Sequence, residues 1–300
     1  MQDDLRPGVA VRLGPGLRRV VAPNPSALTG PGTNSYIVGE GRVALIDPGP
    51  DDARHAAALR DALGLCERIG WIILTHRHRD HAGLARAIAQ WAGVPVLGGP
   101  ASGGAAMPDF MAGYDIGGGE GVDPAFSADA SLDDGAQIDL PGWPLRVLHT
   151  PGHLDDHICL IGADWALSGD HVMGWSSSIV SPPDGDMGDY MTSLERLAST
   201  GTAALWPGHG EGVPDARGRI AALAAHRRAR EAEILAILSA APARIADIVA
   251  QVYVGTPPGL HAAAARNVLA HLVDLARKGR IRAAAGTETA ITSVVFAPAG

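Results

Sequence analysis

The sequence predicts a layered α/β body through its first two hundred residues and a separate, mostly helical segment after them. Three observations carry that expectation. Short apolar runs recur between turns rich in glycine and proline, helical stretches interrupt them, and long helical patterns take over after Gly212. Candidate strands are Val9–Leu13, Arg18–Val21, Ser35–Val38, Val43–Ile46, Trp71–Leu74, Val94–Leu97, Leu145–Leu148, Ile158–Ile161 and Trp165–Leu167. Helical patterns fall at Asp52–Leu63, Ala82–Trp91 and Asp189–Ser199, so helices should cover the faces of a sheet. Residues 98–135 are rich in Gly, Ala and Asp with little periodicity, which suits a lid, a binding loop or a surface insertion.

Past Gly212, residues 216–239, 243–252 and 262–278 read as helices, with β-like pieces at Ile281–Ala283 and Ile291–Phe296. Three helices and a small hairpin is the order of a winged helix. The expected division is therefore 1–212 and 213–300.

With 46% apolar and 19% charged residues, the chain can bury a sizeable core. Residues 1–210 hold 13 Arg against 25 Asp and Glu, whereas 211–300 hold 11 Arg and Lys against 7 acids. An acidic body argues against electrostatically driven nucleic-acid binding. Cys66 and Cys159 sit beside apolar neighbours and read as buried free thiols of a reducing compartment. No basic-then-apolar leader and no membrane-length apolar run is apparent, so a cytoplasmic protein with no membrane partner is expected.

The strongest chemical signal is LTHRHRDHAG, residues 74–83. An apolar strand ends at Thr75, and His76, His78, Asp80 and His81 follow before a helix. Alternate residues on an extended turn point the same way, so His76 and His78 can hold one ion, while the bend into the helix aims Asp80 and His81 at a second position. Imidazoles and carboxylates at this density suit Zn²⁺, with Mn²⁺ or Fe²⁺ as alternatives. Partners are available at His153 in HTPGH, Asp170 in LSGDH and His209 in WPGHG, each beside glycine after an apolar strand.

This set of seven resembles the metal-binding pattern of the metallo-β-lactamase-fold hydrolases over roughly residues 15–212. The resemblance implies an αββα sandwich with two Zn²⁺ at one edge. His76, His78 and His153 would hold the first, Asp80, His81 and His209 the second, and Asp170 would bridge them. Asp170 sets the chain apart from true zinc β-lactamases and toward the glyoxalase II, lactonase and ribonuclease branches. A histidine at His78 disfavours the flavodiiron pattern, and a one-iron persulfide dioxygenase is a further reading. The segments GTNSYIV, DPGP, HTPGHLDDH and 169–197, with the winged helix, resemble the β-lactamase-like protein 2 group, whose human-type members are described as endoribonucleases for single-stranded RNA.

These features lead to the expectation of a dinuclear zinc hydrolase with a bridging hydroxide, in which Asp80 is both ligand and catalytic residue. Its substrate would be a small acyl compound (an ester, thioester or lactone), or alternatively single-stranded RNA. A third reading is a metal-sensing winged-helix protein that binds DNA. Asp47 would orient a ligating histidine or cap a turn. Tyr190 and the loop 175–189 would line the pocket or begin a helix, with Asp189 as cap or first-turn acid. Asp156 and His157 would bond the scaffold, and His171 would point away from the metal. His55, His149, His226, His261 and His271 read as packing or surface residues. Arg227, Arg228 and Arg230 would form a solvated helix face or steer an anion, and the winged helix would cover substrate or form a homodimer.

Overall fold

The protein is described by a computed structural model over residues 4–299, apart from 102, 105, 112 and 284–289. In chain order the first elements are β1 (Ala10–Gly14), β2 (Leu17–Val21), β3 (Asn34–Val38), β4 (Arg42–Ile46), α1 (Ala53–Asp61), β5 (Arg68–Ile73), α2 (Arg79–Ala82) and α3 (Ala85–Ala92). Next come β6 (Val96–Gly98), β7 (Ala130–Ser131), β8 (Gln137–Ile138), β9 (Leu145–His149), β10 (Ile158–Ile161), β11 (Trp165–Gly169), α4 (Met187–Ser199) and β12 (Ala204–Pro207). The remainder comprises α5 (Ala216–Ala240), α6 (Ile245–Val252), α7 (His261–Arg277), β13 (Ile281–Ala283) and β14 (Phe296–Pro298).

Strands β1 to β7 form one sheet in sequence order, and β12-β11-β10-β9-β8 form a second. The inner faces meet in one apolar layer, where Tyr36, Val38, Ile46 and Ile73 oppose Leu145, Val147, Ile158 and Leu160. Period-two alternation sends Ile37, Leu45 and Ile72 to the outer face, against Leu59 of α1 and Ala85 and Ile88 of α3. These strands are buried on both faces, which is why they read as continuous apolar runs. The second sheet is covered outside by Leu194 and Leu197 of α4 and by Ile220 and Leu223 of α5. The result is an αββα sandwich.

Helix α5 serves two cores. Its first half packs on the sandwich, while Ile234 and Leu238 join Ile248, Leu272 and Phe296 in the core of the tail. The expected β-like piece at Ile291–Phe296 is a 3₁₀ turn over Ile291–Ser293 followed by β14. Segment 98–135 is not a free loop. Met111 is buried in the tail core, and the Ile291 amide donates to the Asp115 carbonyl at 3.1 Å.

The helix expected to begin at Ala82 is split. The short α2 carries Asp80 and His81, and α3 starts after Gly83. A Cβ at Gly83 would lie 2.5 Å from the Asp51 nitrogen, so only glycine lets this turn pack against the loop after β4. Helix α4 begins two residues earlier than expected. Asp186 is its cap, accepting from the Asp189 amide at 2.9 Å, and Asp189 is a first-turn acid. Cys159 is buried as expected, but Cys66 is exposed, because it falls in the turn between α1 and β5 and not on a buried face. Among the described residues, no helix is long and apolar enough to cross a membrane.

Met111→Ala should remove buried volume at the insertion–tail contact and lower unfolding stability by about 2–5 kcal/mol in chemical denaturation. A loss below about 0.5 kcal/mol would show that this side chain is not packed there.

Candidate metal centre

Strands β4 and β5 run parallel with Ile46 opposite Ile73, and β11 and β12 run parallel with Gly169 opposite Pro207. Their carboxyl ends therefore lie at one edge of the sandwich. Asp47 follows β4, the segment 74–81 follows β5, Asp170 follows β11 and His209 follows β12. Two contacts hold the sheets together there: the Ile158 amide donates to the Thr75 carbonyl at 2.8 Å, and the Asn34 amide donates to the Gly208 carbonyl at 2.7 Å.

All seven side chains singled out in the sequence converge at this edge. His76, His78, His153 and Asp170 form one group and Asp80, His81 and His209 another, with the donor atoms of each group within 4.8 Å of one another. His78 Nδ1 lies 3.0 Å from both His76 Nε2 and His153 Nε2. His81 Nε2 lies 3.3 Å from His209 Nε2, and His209 Nε2 lies 3.3 Å from both Asp80 Oδ2 and Asp170 Oδ2. Asp170 also reaches the first group, its Oδ2 being 3.7 Å from His153 Nε2.

The opposite ring nitrogens show what these atoms carry. Thr75 donates its hydroxyl to Asp47 Oδ2 at 2.8 Å, so its oxygen must accept from His76 Nδ1 at 3.0 Å. His153 Nδ1 donates to the Ile179 carbonyl at 2.6 Å, His209 Nδ1 to the Gly32 carbonyl at 3.3 Å, and His81 Nδ1 to Asp47 Oδ2 at 2.9 Å. A neutral imidazole has one proton, so Nε2 of His76 and His153, whose rings burial keeps neutral, presents a lone pair to the cleft, while at His81 and His209 the neighbouring carboxylates favour a second proton on Nε2 that a cation would displace. Lone pairs and carboxylates crowded together repel unless cations lie between them. A tetrahedral zinc with nitrogen ligands at about 2.0–2.1 Å would set its donors roughly 3.3 Å apart, close to the spacings found. The donor set therefore fits divalent metal.

Burial pushes the His78 pKa down to about 3, reinforced by His153, and it also lowers His76 and His153, keeping these rings neutral. At Asp170 burial opposes ionisation, but His209 and His81 hold the carboxyl well below the usual carboxylate range. Burial likewise acts against a charge on His209, yet Asp170 and Asp80 raise its pKa to about 9.

Asp47 is fully committed. Its carboxylate accepts from the Thr75 amide and hydroxyl and from His81, and its backbone lies at φ +50, a strained region for a non-glycine residue. His157 Nε2 accepts from the Asp170 amide at 3.2 Å, and its Nδ1 donates to the Thr150 hydroxyl at 2.8 Å. Tyr190 does not line the pocket. It is fully buried on the inner face of α4, with its hydroxyl donating to the His171 carbonyl at 3.0 Å and its ring against that of His171. Arg227 is no part of a solvated stripe, because it is buried and donates to the Ser178 carbonyl and Asn267. Arg228 and Arg230 pair with Glu195 and Glu233. His55 and His149 bond Ser35 and the Leu132 carbonyl, away from the metal edge.

Sequence reasoning missed a clamp opening β3. Thr33 donates to Asp80 Oδ2 at 3.1 Å, Asn34 Nδ2 donates to the Pro207 and Gly210 carbonyls at 2.9 Å, and the Tyr36 hydroxyl donates to the Pro207 carbonyl at 2.6 Å. These bonds fix the loop that carries His209. Three polar residues (Thr33, Asn34, Ser35) opening an apolar strand were the available signal. Arg77, between two ligands, faces the other way and joins Asp155, Asp156 and Asp184. Asp155 and Asp184 in turn accept from amides of Gly103, Gly104 and Gly119, tying the insertion down beside the site.

Residues 28–209 match the metallo-beta-lactamase superfamily. The chain belongs to that superfamily. Residues 245–288 match the beta-lactamase associated winged helix domain, so the tail is a winged helix. The chain is 34% identical over 283 residues to the beta-lactamase-like protein 2 homolog of Drosophila melanogaster, covering 90% of this chain and 91% of that protein. It is 30% identical over 254 residues to a Claviceps purpurea protein named atrochrysone carboxyl ACP thioesterase, covering 80% and 72%. A crystal structure of a beta-lactamase domain protein from Burkholderia ambifaria superposes with a TM-score of 0.79 at 22% identity, covering 99% and 96% of the two chains.

Asp47→Ala frees His81 from its partner and should weaken zinc binding by about 10–100-fold in a competition titration against a chromogenic chelator. Unchanged affinity would show that Asp47 does not support a ligand.

Proposed function

We propose that this metallo-beta-lactamase superfamily member is a dinuclear zinc hydrolase acting on an ester or thioester. The observation that carries the reading is the convergence of five imidazoles and two carboxylates, four of the rings being fixed on their far side by hydrogen bonds. Two Zn²⁺ ions held there would supply Lewis acidity and lower the pKa of a water from 15.7 to about 7. His76, His78 and His153 would hold one ion, Asp80, His81 and His209 the other, and Asp170 would serve both.

The protein's own residues do the rest. Asp47, Thr75 and the Gly32 and Ile179 carbonyls fix each ring's tautomer and direction, so the donors need no rearrangement on turnover. Asp80, held by Thr33, is the partly exposed carboxylate that faces the cavity and can orient water or take its proton.

An acyl substrate is favoured by the walls. A cavity of about 630 Å³ opens on His78, Asp80, His153, Asp170 and His209, and its other lining is mostly apolar. Among the described residues, its one Arg or Lys side chain is Arg266, which is engaged with Ser181 and Glu120. Phosphate-rich RNA would find little to neutralise it. The thioesterase name of the Claviceps purpurea relative points the same way. Duplex DNA binding is opposed by α7, the third helix of the tail, whose residues from Asn267 to Leu275 are all buried.

His78→Ala and Asp80→Ala should each lower thioester hydrolysis by about 10²-fold or more while leaving the circular dichroism spectrum intact. Rates should vary little between 50 and 200 mM salt, where a nuclease of many phosphate contacts would lose roughly 10³–10⁵ in affinity. Wild-type turnover in Asp80→Ala, or cleavage of end-labelled single-stranded RNA that falls steeply with salt, would overturn the reading.

A further inference from the structure

We propose that the cavity is an acyl-binding chamber, built for a thioester or ester whose acyl part is large and apolar and whose thiol or alcohol part stays outside. This rests on the hydrolase reading above and goes beyond it by naming the part of the substrate the protein recognises.

Both parts of the chain build the chamber. Leu28, Met173, Trp175 and Ile179 come from the sandwich, and Tyr253 and Leu260 from the tail. Its volume of about 630 Å³ is within the roughly 300–1,000 Å³ of pockets that enclose a drug-sized ligand. Acetyl or formyl groups would leave most of that space unused.

Charge decides which end of the substrate enters. Apart from the metal-binding side chains, the charged residues lining the chamber are Glu120, Asp184 and Arg266. Arg266 donates to Ser181 and to the Ile116 and Pro182 carbonyls, with Glu120 3.5 Å away, and Asp184 is paired with Arg77, so the lining's cationic side chain is already engaged. A thiol carrier bearing phosphate finds no uncommitted cationic side chain on such a wall among the described residues, whereas an aliphatic or aromatic acyl group needs none. The acyl group goes in and the carrier stays at the mouth.

Part of the mouth is apolar, formed by Leu28 and Trp175 beside Ser26, Thr29, Ser176 and Ser177. Large apolar side chains left exposed among the described residues include Leu28 at 50%, Trp175 at 48% and Val254 at 81%. The first two line the chamber and the third adjoins the lining residue Tyr253. Single exposed apolar side chains need no explanation, but Leu28 and Trp175 both line the same chamber and so form an apolar part of its rim. A Cβ at Gly210 would lie 2.6 Å from the Trp175 ring, and one at Gly30 would lie 3.4 Å from it. Both glycines have positive φ. The bare backbone at these two points is what gives the indole room next to the loop that carries His209, where an acyl chain leaving the metal edge would meet it.

In the reaction a water oxygen bonds to the carbonyl carbon and the carbon–sulfur bond breaks. The thiol leaves with one proton of the water, and the acid formed gives up the other to solvent.

The test uses the zinc-loaded full chain and acyl-CoA thioesters from acetyl to decanoyl. We expect kcat/KM to rise with acyl length by about fourfold per methylene, the discrimination that full burial of each CH₂ allows, until the chamber is filled. Trp175→Ala should flatten that rise. Ala263→Phe, which narrows the tail wall, should move the optimum to shorter chains and serves if Trp175→Ala does not fold. Turnover that is independent of acyl length in the wild type would overturn this inference while leaving the hydrolase reading in place. Absence of turnover on every thioester and on the matched aryl esters would overturn both.

Discussion

At the seam between two β-sheets, five imidazoles and two carboxylates face one another, and four of the rings have Nδ1 engaged on the far side. Most atoms facing the cleft are acceptors, and without a cation they bond one another only through extra protons on His81 and His209. Such a group persists in a folded protein because the surrounding chain holds it rigidly. Much of the rest of the architecture follows from that requirement. Parallel pairing of β4 with β5 and of β11 with β12 brings four strand ends to one edge, and Asn34 and Tyr36 clamp the His209 loop across the sheets. Asp47 tolerates a left-handed backbone because three hydrogen bonds over-determine its carboxylate. Strain at one residue is exchanged for a fixed direction at His81.

The tail completes the cavity and is not an appendage. Helix α5 belongs to the sandwich core at one end and the tail core at the other, so the two parts share a rigid element. Insertion 98–135 crosses the same boundary: Met111 sits in the tail core, while the Arg79 amide beside the metal ligands donates to the Gly121 carbonyl at 2.8 Å. The amino-terminal turn of α7 then forms a wall of the chamber. A winged helix used in this way has spent its third helix on packing, and the architecture alone gives no warrant for nucleic-acid binding.

The meeting of seven His and Asp side chains at one edge was legible in the sequence because its signal is local. An apolar strand, a run of His and Asp at alternate positions, and glycine-flanked His153, Asp170 and His209 after other strands need no knowledge of distant contacts. What surrounds those ligands was much less legible. Thr33 and Asn34 act through partners 47 and 173 residues away, and Arg77 binds a carboxylate 78 residues on. No periodicity encodes such pairings. Tyr190 was misplaced because it follows a loop that does reach the pocket, whereas the apolar face of α4 turns it into the core. The two-residue strands β7 and β8 are too short to leave a pattern, and Cys66 has apolar neighbours in sequence but lies in a turn.

The most direct test of the account is metal stoichiometry coupled to activity. Protein stripped with a strong chelator should be folded and inactive toward a thioester, and activity should return with an end point at two equivalents of Zn²⁺ per chain. Full activity in stripped protein, or an end point at one equivalent or fewer, would contradict the claim that these seven side chains form a dinuclear hydrolytic centre.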